Sequence, residues 1–279
     1  HPDPDPDPDT DANGAGVASS LATIIDLDRI AAAAVPAREY VVDDGWFLRS
    51  DDGGHVRRTN SVAPSEAGRD PIDLKVARVV RWYTARGRRP RIQLSPGAMP
   101  RDLRTTLMAL GWVLEVPVAV MVRVADATDG TGLAHESLDT SEVRLSRHAT
   151  PEWQRAYRRT LAHAPPGEVA ARLRLAVDAP APKAYASAGV ASPVAVGVAV
   201  MGEGWMGIFD VATMPESLRQ GHATRVVRAL SAWGSEMGGG SHYLQVAVAN
   251  VGARSLYERL GYRTAYTYVY AVPGRDAGQ

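Results

Sequence analysis

Gly207-Ile-Phe-Asp-Val-Ala-Thr-Met-Pro-Glu-Ser-Leu-Arg-Gln-Gly-His-Ala-Thr-Arg-Val-Val-Arg-Ala-Leu230 is the stretch around which the chain is organised. Residues 208–213 form a short apolar run suited to a buried strand. Pro215 stops it, because proline cannot donate to a ladder. Residues 219–224 form a turn carrying Gly221 and the small Ala223. From Thr224, Val226, Val227, Leu230 and Trp233 recur at helical spacing. Gly238, Gly239 and Gly240 end that helix. A glycine-bearing turn that opens a helix presents free N–H groups at the positive end of a macrodipole. Gly221 admits close backbone approach, and Arg219 and Arg225 add charge. The pattern points to a phosphate-bearing ligand, although an ordinary strand-to-helix turn reads the same way.

Further along stand a second strand, Tyr243-Leu-Gln-Val-Ala-Val-Ala-Asn250, and a second helix, Ala253-Arg-Ser-Leu-Tyr257, followed by Leu260-Gly261-Tyr262. Strand, glycine turn, helix, strand, Asn, Tyr and Leu-Gly-aromatic come in a definite order. In that order the stretch resembles the GNAT superfamily of acetyl-CoA-dependent N-acyltransferases. Leu218-Arg219-Gln220-Gly221-His222-Ala223 fits that family's Gln/Arg-x-x-Gly-x-Gly/Ala loop except at Leu218, where a polar side chain is usual.

The resemblance implies a set of roles. Backbone groups of Val211, Ala212 and Thr213 would pair with the pantetheine arm of acetyl-CoA, and the Val211 N–H would polarise the thioester carbonyl. Arg219, Gln220, Gly221, His222, Ala223 and Thr224 would cradle the pyrophosphate. Asn250, with Ala253 beside it, would bond the pantetheine arm. Tyr257 would protonate the departing thiolate, leaving coenzyme A as product. Each residue also has a plainer reading. Tyr257 lies one helical turn from Ala253 and Leu260 and suits a core position. Asn250 suits the cap of the following helix. His222 suits solvent or packing. Many GNAT proteins carry a glutamate four residues before the Val211 position as general base. Here that place is Gly207. Asp210, Glu203, a water relay and a residue lent by the N-terminal half all stay open.

The 279 residues carry a formal net charge of +0, so charge balance gives no argument for a nucleic-acid or membrane partner. Hydrophobic content of 45% supports a sizeable core. With no cysteine there is no disulfide framework, thiolate metal site or cysteine nucleophile, and no metal site is expected. Lys75 and Lys183 are the only lysines; the remaining positive charge is arginine. No apolar run approaches the ~20 residues of a membrane span, and the first residues lack a signal-peptide pattern. A bacterial, cytoplasmic protein, monomeric or homodimeric, is the expectation.

The expected division is an acidic Pro-Asp tail at 1–20, an α/β domain at 21–125, a linker at 126–141, a second α/β domain at 142–274 and a short tail at 275–279. In the first domain, 21–35, 73–86 and 100–110 read as helices. Residues 45–62 read as a β-hairpin turning at Asp51-Asp52-Gly53-Gly54, with strands at 91–95 and within 113–124. In the second, 151–161 and 167–175 read as helices, 179–192 as loop, and 194–201, 205–211 and 266–272 as strands.

Leu110-Gly111-Trp112 and Leu260-Gly261-Tyr262 lie 150 positions apart. Trp82 and Gly87 match Trp233 and Gly238 at an offset of 151. The chain therefore reads as two copies of one α/β unit, each a mixed, mostly antiparallel sheet flanked by helices. At the offset of Gly221 the first copy has Asp70 followed by Pro71, a charge that repels a pyrophosphate and a residue without an N–H. The first copy is thus expected to be degenerate, shaping the substrate site or the interface. The leading functional reading is an N-acetyltransferase that moves acetyl from acetyl-CoA to a primary amine by direct attack in a ternary complex. The alternative is a catalytically silent acyl-CoA-binding regulatory module. No Gly-x-x-x-x-Gly-Lys-Ser/Thr loop supports a nucleotide-binding enzyme of another kind. The acceptor, small molecule or peptide, is not legible.

Overall fold

The structure, a computed structural model, describes residues 20–124 and 142–274. The Pro-Asp tail up to residue 19, the 126–141 linker and the C-terminal tail lie outside the described residues. The first half contains α1 (Leu21–Ala34), β1 (Glu39–Asp43), β2 (Trp46–Ser50), β3 (Val62–Pro64), α2 (Ile72–Thr84), β4 (Ile92–Leu94), α3 (Leu103–Ala109), β5 (Trp112–Leu114) and β6 (Val118–Val124). The second contains β7 (Val143–Ser146), α4 (Pro151–Thr160), α5 (Pro166–Val177), β8 (Lys183–Ala188), β9 (Ala195–Gly202), β10 (Trp205–Thr213), α6 (His222–Glu236), β11 (Ser241–Ala247), α7 (Val251–Arg259) and β12 (Arg263–Pro273). Among the described residues no helix is long and apolar enough to cross a membrane.

The strands form one mixed sheet in the order β1-β2-β3-β4-β12-β6-β11-β10-β9-β8-β7, with β5 also on β12. The halves interleave. Strand β6, from the first half, pairs antiparallel with β11 on one side and with Arg263–Tyr268 of β12 on the other. The remainder of β12 crosses into the first half, pairing with β4 and β5. Its neighbours explain why β6 reads Val-Ala-Val-Met-Val without polar alternation: both faces are covered. Val118, Val120 and Val122 face a core with Leu27, Trp153 and Tyr185. Ala119 and Met121 face the core beneath Val226, Leu230 and Tyr257. A third core, around Trp46, Tyr83, Ile92 and Leu107, lies under α2 and α3.

The repeated punctuation has a common structural meaning. Gly111 and Gly261 (φ 77° and 84°) follow α3 and α7, and Gly87 and Gly238 (φ 62° and 82°) follow α2 and α6. Helix α2 joins the parallel pair β3 and β4, and α6 joins the parallel pair β10 and β11. Both runs therefore read strand, helix, parallel strand, helix, strand.

Three expectations need correction. Residues 179–192, expected as loop, contain β8. Its alternating Ala184, Ala186 and Ala188 have low strand propensity but sit buried against the α6 side of the sheet, where small side chains let the helix approach. The 45–62 hairpin has the right partners, since Trp46–Leu48 pairs with Val62–Pro64, but not a tight turn. Residues 51–61 form a long connection with two 3₁₀ turns, tied down by Asp51 N–H donating to Asn60 Oδ1 (2.9 Å) and Tyr83 hydroxyl donating to Arg49 O (2.7 Å). The tight turn lies instead at Asp44-Gly45, both with positive φ, joining the unanticipated β1 to β2. Strand β7 at the far edge is also new.

His242, at the start of β11, is 1% exposed, and burial followed by the charge of Arg123 lowers its pKa from 6.5 to about 4. The unfolded chain therefore takes up the proton first as pH falls. Stability should be whole above the unfolded pKa and decline by roughly 3 kcal/mol as pH falls through this window. Denaturant titrations at about pH 7 and about pH 4.5 check this: His242→Gln should flatten the loss, and an unchanged slope would remove His242 as its cause.

Candidate functional site: a cleft between β10 and β11

Parallel pairing between β10 and β11 runs from Trp205 to Ile208 against Ser241 to Leu244 and then stops. A bulge between Phe209 and Ala212, with Asp210 at φ 52°, turns β10 away. Beyond it β10 continues on β9 (Ala212 with Val196, Thr213 with Ala195), while β11 stays with β6. Two strand edges thus diverge, leaving backbone groups free to pair with an extended ligand. The cleft encloses about 1210 Å³ together with the solvent at its mouth. Val211, Gln245, Asn250, Ala253 and Tyr257 line it. His55, Val56, Arg57 and Arg58 of the first half supply another wall.

Past β10 the chain makes a 3₁₀ turn at Pro215–Ser217 and enters α6 through Gly221 at φ 80°. Helix α6 begins at His222, two residues before the expected start. His222, Ala223 and Thr224 therefore stand in its first turn, and Arg225 N–H donating to Gly221 O (3.0 Å) is the first ladder bond. The N–H groups of residues 222–224 have no intrahelical acceptor, and no side chain caps them. Arg219 (φ 61°) and Gln220 are exposed on the approach, with Gln220 Nε2 donating to Glu216 O at 3.2 Å. Leu218 is 55% exposed, so its apolar side chain faces solvent. Arg225 lies 3.2 Å from Glu142 and 3.0 Å from His222 Nδ1. Burial, then the Arg225 charge, lowers the His222 pKa and favours a neutral ring.

On α7, Asn250 Oδ1 accepts from Ala253 N–H at 3.1 Å, which makes it the helix cap and leaves its Nδ2 as a donor at the cleft wall. Tyr257, 8% exposed, meets Tyr262 edge to face at 6.0 Å. Burial raises its pKa, so the phenol keeps its proton across the physiological range. On the β10 side the Thr213 hydroxyl is buried without a hydrogen-bond partner.

Of the carboxylates considered as bases, Glu203 is remote, paired with Arg29 at 2.5 Å. Gly207 has no room for a side chain: a Cβ there would stand 2.6 Å from the Tyr243 ring and hydroxyl. Tyr243 thus fills the place of the usual glutamate. Asp210 lines the cleft and also a narrow apolar recess behind Phe209. Arg58, Arg172, Tyr268 and Tyr270 complete the wall. Arg58 lies in the Arg-Arg-Thr-Asn-Ser-Val stretch at 57–62, which resembles the N-terminal half of some tandem GNAT proteins. No sequence signal gave it or the other three a place in the site, because only the assembly of the two halves brings them to β10.

The matching place in the first half has different contents. At the start of α2, Asp44 accepts from Arg69 N–H (2.9 and 3.0 Å) and from Asp70 N–H (3.0 Å). Lys75, 1% exposed, stands 3.2 Å from the same carboxylate. The backbone N–H bonds, first of all, hold Asp44 down at a pKa of about 2. Asp70 itself turns outward to Arg78 at 2.9 Å. Asp44, not Asp70, is the carboxylate that accepts the amides of this loop.

Solved structures of like fold include a GCN5-related N-acetyltransferase from Kribbella flavida, with a TM-score of 0.67 and 19% identity, covering 95% of this chain and 99% of that one. A GCN5-related N-acetyltransferase from Sphaerobacter thermophilus has a TM-score of 0.56 and 16% identity, covering 93% and 96%. A tandem GNAT protein from the clavulanic acid biosynthesis pathway has a TM-score of 0.58 and 12% identity, covering 91% and 88%. No curated protein matches the chain. The family model described as "Probable histone acetyltransferase Rv0428c C-terminal" matches residues 21–271. The chain belongs to that family, and its fold is that of the GNAT superfamily.

Proposed function

We propose that the protein is an N-acetyltransferase that moves acetyl from acetyl-CoA to a primary amine by direct attack in a ternary complex. The observation that carries this reading is the parting of β10 from β11 beside an uncapped, glycine-led helix start. Bound acetyl-CoA supplies the acyl group as a thioester. The chain's residues fit it, with unpaired strand edges for the amides of its arm and free N–H groups at residues 222–224 for its pyrophosphate. Arg219 adds charge at the mouth, Gln220 and Gly221 shape the turn, and Thr213 offers an unused hydroxyl. Val211 N–H, next to the bulge, polarises the acyl oxygen. Asn250 Nδ2 donates to the pantetheine arm. Tyr257, kept neutral by burial, gives its proton to the leaving sulfur as the C–S bond breaks and the C–N bond forms.

The first half reads as a second copy of the unit that binds no coenzyme, because the Asp44 carboxylate, held by the Arg69 and Asp70 amides, sits on the turn that leads into α2 and would repel a pyrophosphate there. One coenzyme per chain is the expected stoichiometry.

Two measurements test the reading. Tyr257→Phe should lower kcat by roughly a hundredfold or more with little change in acetyl-CoA affinity, since it removes a proton donor and no binding group; an unchanged kcat would take that role from it. Gly221→Ala places a Cβ at positive φ, at a cost of roughly 1 kcal/mol in stability. In calorimetry it should weaken acetyl-CoA binding several-fold, and wild-type protein that binds neither acetyl-CoA nor coenzyme A would end the proposal.

A further inference from the structure

The acceptor end of the cleft is defined by charge. Among the described residues its one lining carboxylate is Asp210, set at the bulge of β10. Around it stand Arg57 and Arg58 from the first half and Arg172 from α5. Two of these cations are already engaged. Arg57 lies 3.6 Å from Glu115, and Arg172 Nε donates to Glu168 at 2.8 Å. Arg58 is different. Among the described residues no carboxylate pairs with it, and its guanidinium rests over the Phe209 ring at 5.3 Å, one residue from Asp210. Tyr157 on α4, 1% exposed, belongs to the same core as Phe209. Burial first, and then the neighbouring Asp210 charge, raise the pKa of that phenol. A guanidinium with no carboxylate partner among the described residues thus shares the cleft with one carboxylate.

We infer that the acceptor is a zwitterionic amine, with an anionic group, carboxylate or phosphate, held by Arg58 and its amino group turned to Asp210. The inference rests on the acyl-transfer reading and narrows it. A planar guanidinium stacked on an aromatic ring is oriented to grip a carboxylate or phosphate with two parallel bonds. Asp210 pairs with the incoming ammonium and receives its proton, and the neutral nitrogen then attacks the acyl carbon. The tetrahedral adduct loses a second proton to solvent, and the departing sulfur takes one from Tyr257. A lysine-rich peptide fares poorly here. It brings several positive charges to a wall of arginines, and close like charges near a protein surface repel. The family description names histones; the charge on this wall points elsewhere.

The test is thiol release from acetyl-CoA by the full chain. The panel is the twenty protein amino acids and O-phosphoethanolamine, set against amino-acid carboxamides, ethylamine and a lysine-rich peptide. Calorimetry with acetyl-CoA runs beside it. At least one anionic amine should be consumed with kcat/KM roughly tenfold or more above its neutralised counterpart. Arg58→Gln should erase that preference through KM, with acetyl-CoA affinity and thermal melting unchanged, and Arg58→Lys should keep part of it. The inference is overturned by a preference for ethylamine, carboxamides or the lysine-rich peptide. It is overturned equally if the protein binds acetyl-CoA but consumes no anionic amine, or if Arg58→Gln weakens acetyl-CoA itself. Protein that binds no acetyl-CoA would instead sink the acyl-transfer reading on which this one stands.

Discussion

One backbone event governs the site: β10 stops pairing with β11 after Ile208 and turns to β9 alone. Buried strand edges ordinarily satisfy each other, and a gap between two central strands leaves donors and acceptors that something else must meet. The bulge at Asp210 produces the gap, holding a non-glycine residue at φ 52°, a conformation tolerated where the surrounding structure enforces it. The same turn of the chain aims a carboxylate into the opening, so cleft and charge share an origin. Tyr243 and Phe209 fill the space beside Gly207, so no side chain from that position could reach toward the cleft.

The first half serves this opening from outside. Its 51–61 connection is held to the second half by an ion pair between the buried Asp51 and Arg174 of α5, which also reaches Asp178 at 3.3 Å. Within the connection, Arg49 donates through Nε to Ser61 O (3.3 Å) and through Nη2 to Ser61 Oγ (3.1 Å). Arg57 and Arg58 therefore reach the cleft on a braced segment. The first half thus forms part of the cleft's wall.

Much of this was legible in the sequence and some was not, for physical reasons. Helices announced themselves by period and glycine stops, as in residues 72–84 and 222–236, because an amphipathic face is a local property. The paired Leu-Gly-aromatic signals at 110–112 and 260–262 revealed the shared order of elements, because a positive-φ glycine after a helix has few substitutes. Strand β8 was hidden, since alanine reports tight helix packing rather than strand preference. The glycine loop, Asn250 and Tyr257 were readable as a linear motif. The far wall was not: Arg58 is remote in sequence from Phe209, and only the packing of the two halves joins them. The Asp44 carboxylate was likewise missed, because 25 residues separate it from the Arg69 amide it binds.

The interleaving of β6 and β12 bears on how the chain can be made. Residues 118–124 emerge early during synthesis, yet both of their ladder partners lie beyond residue 240. Until β11 and β12 leave the ribosome, this apolar segment has two bare edges and is a target for pairing with other chains or for chaperones. The earlier half likewise lacks the strand that spans β4 and β5 until the last dozen or so residues of the sheet arrive. The two halves are therefore not separable modules: neither can be cut out, shuffled or inherited alone without losing a central strand.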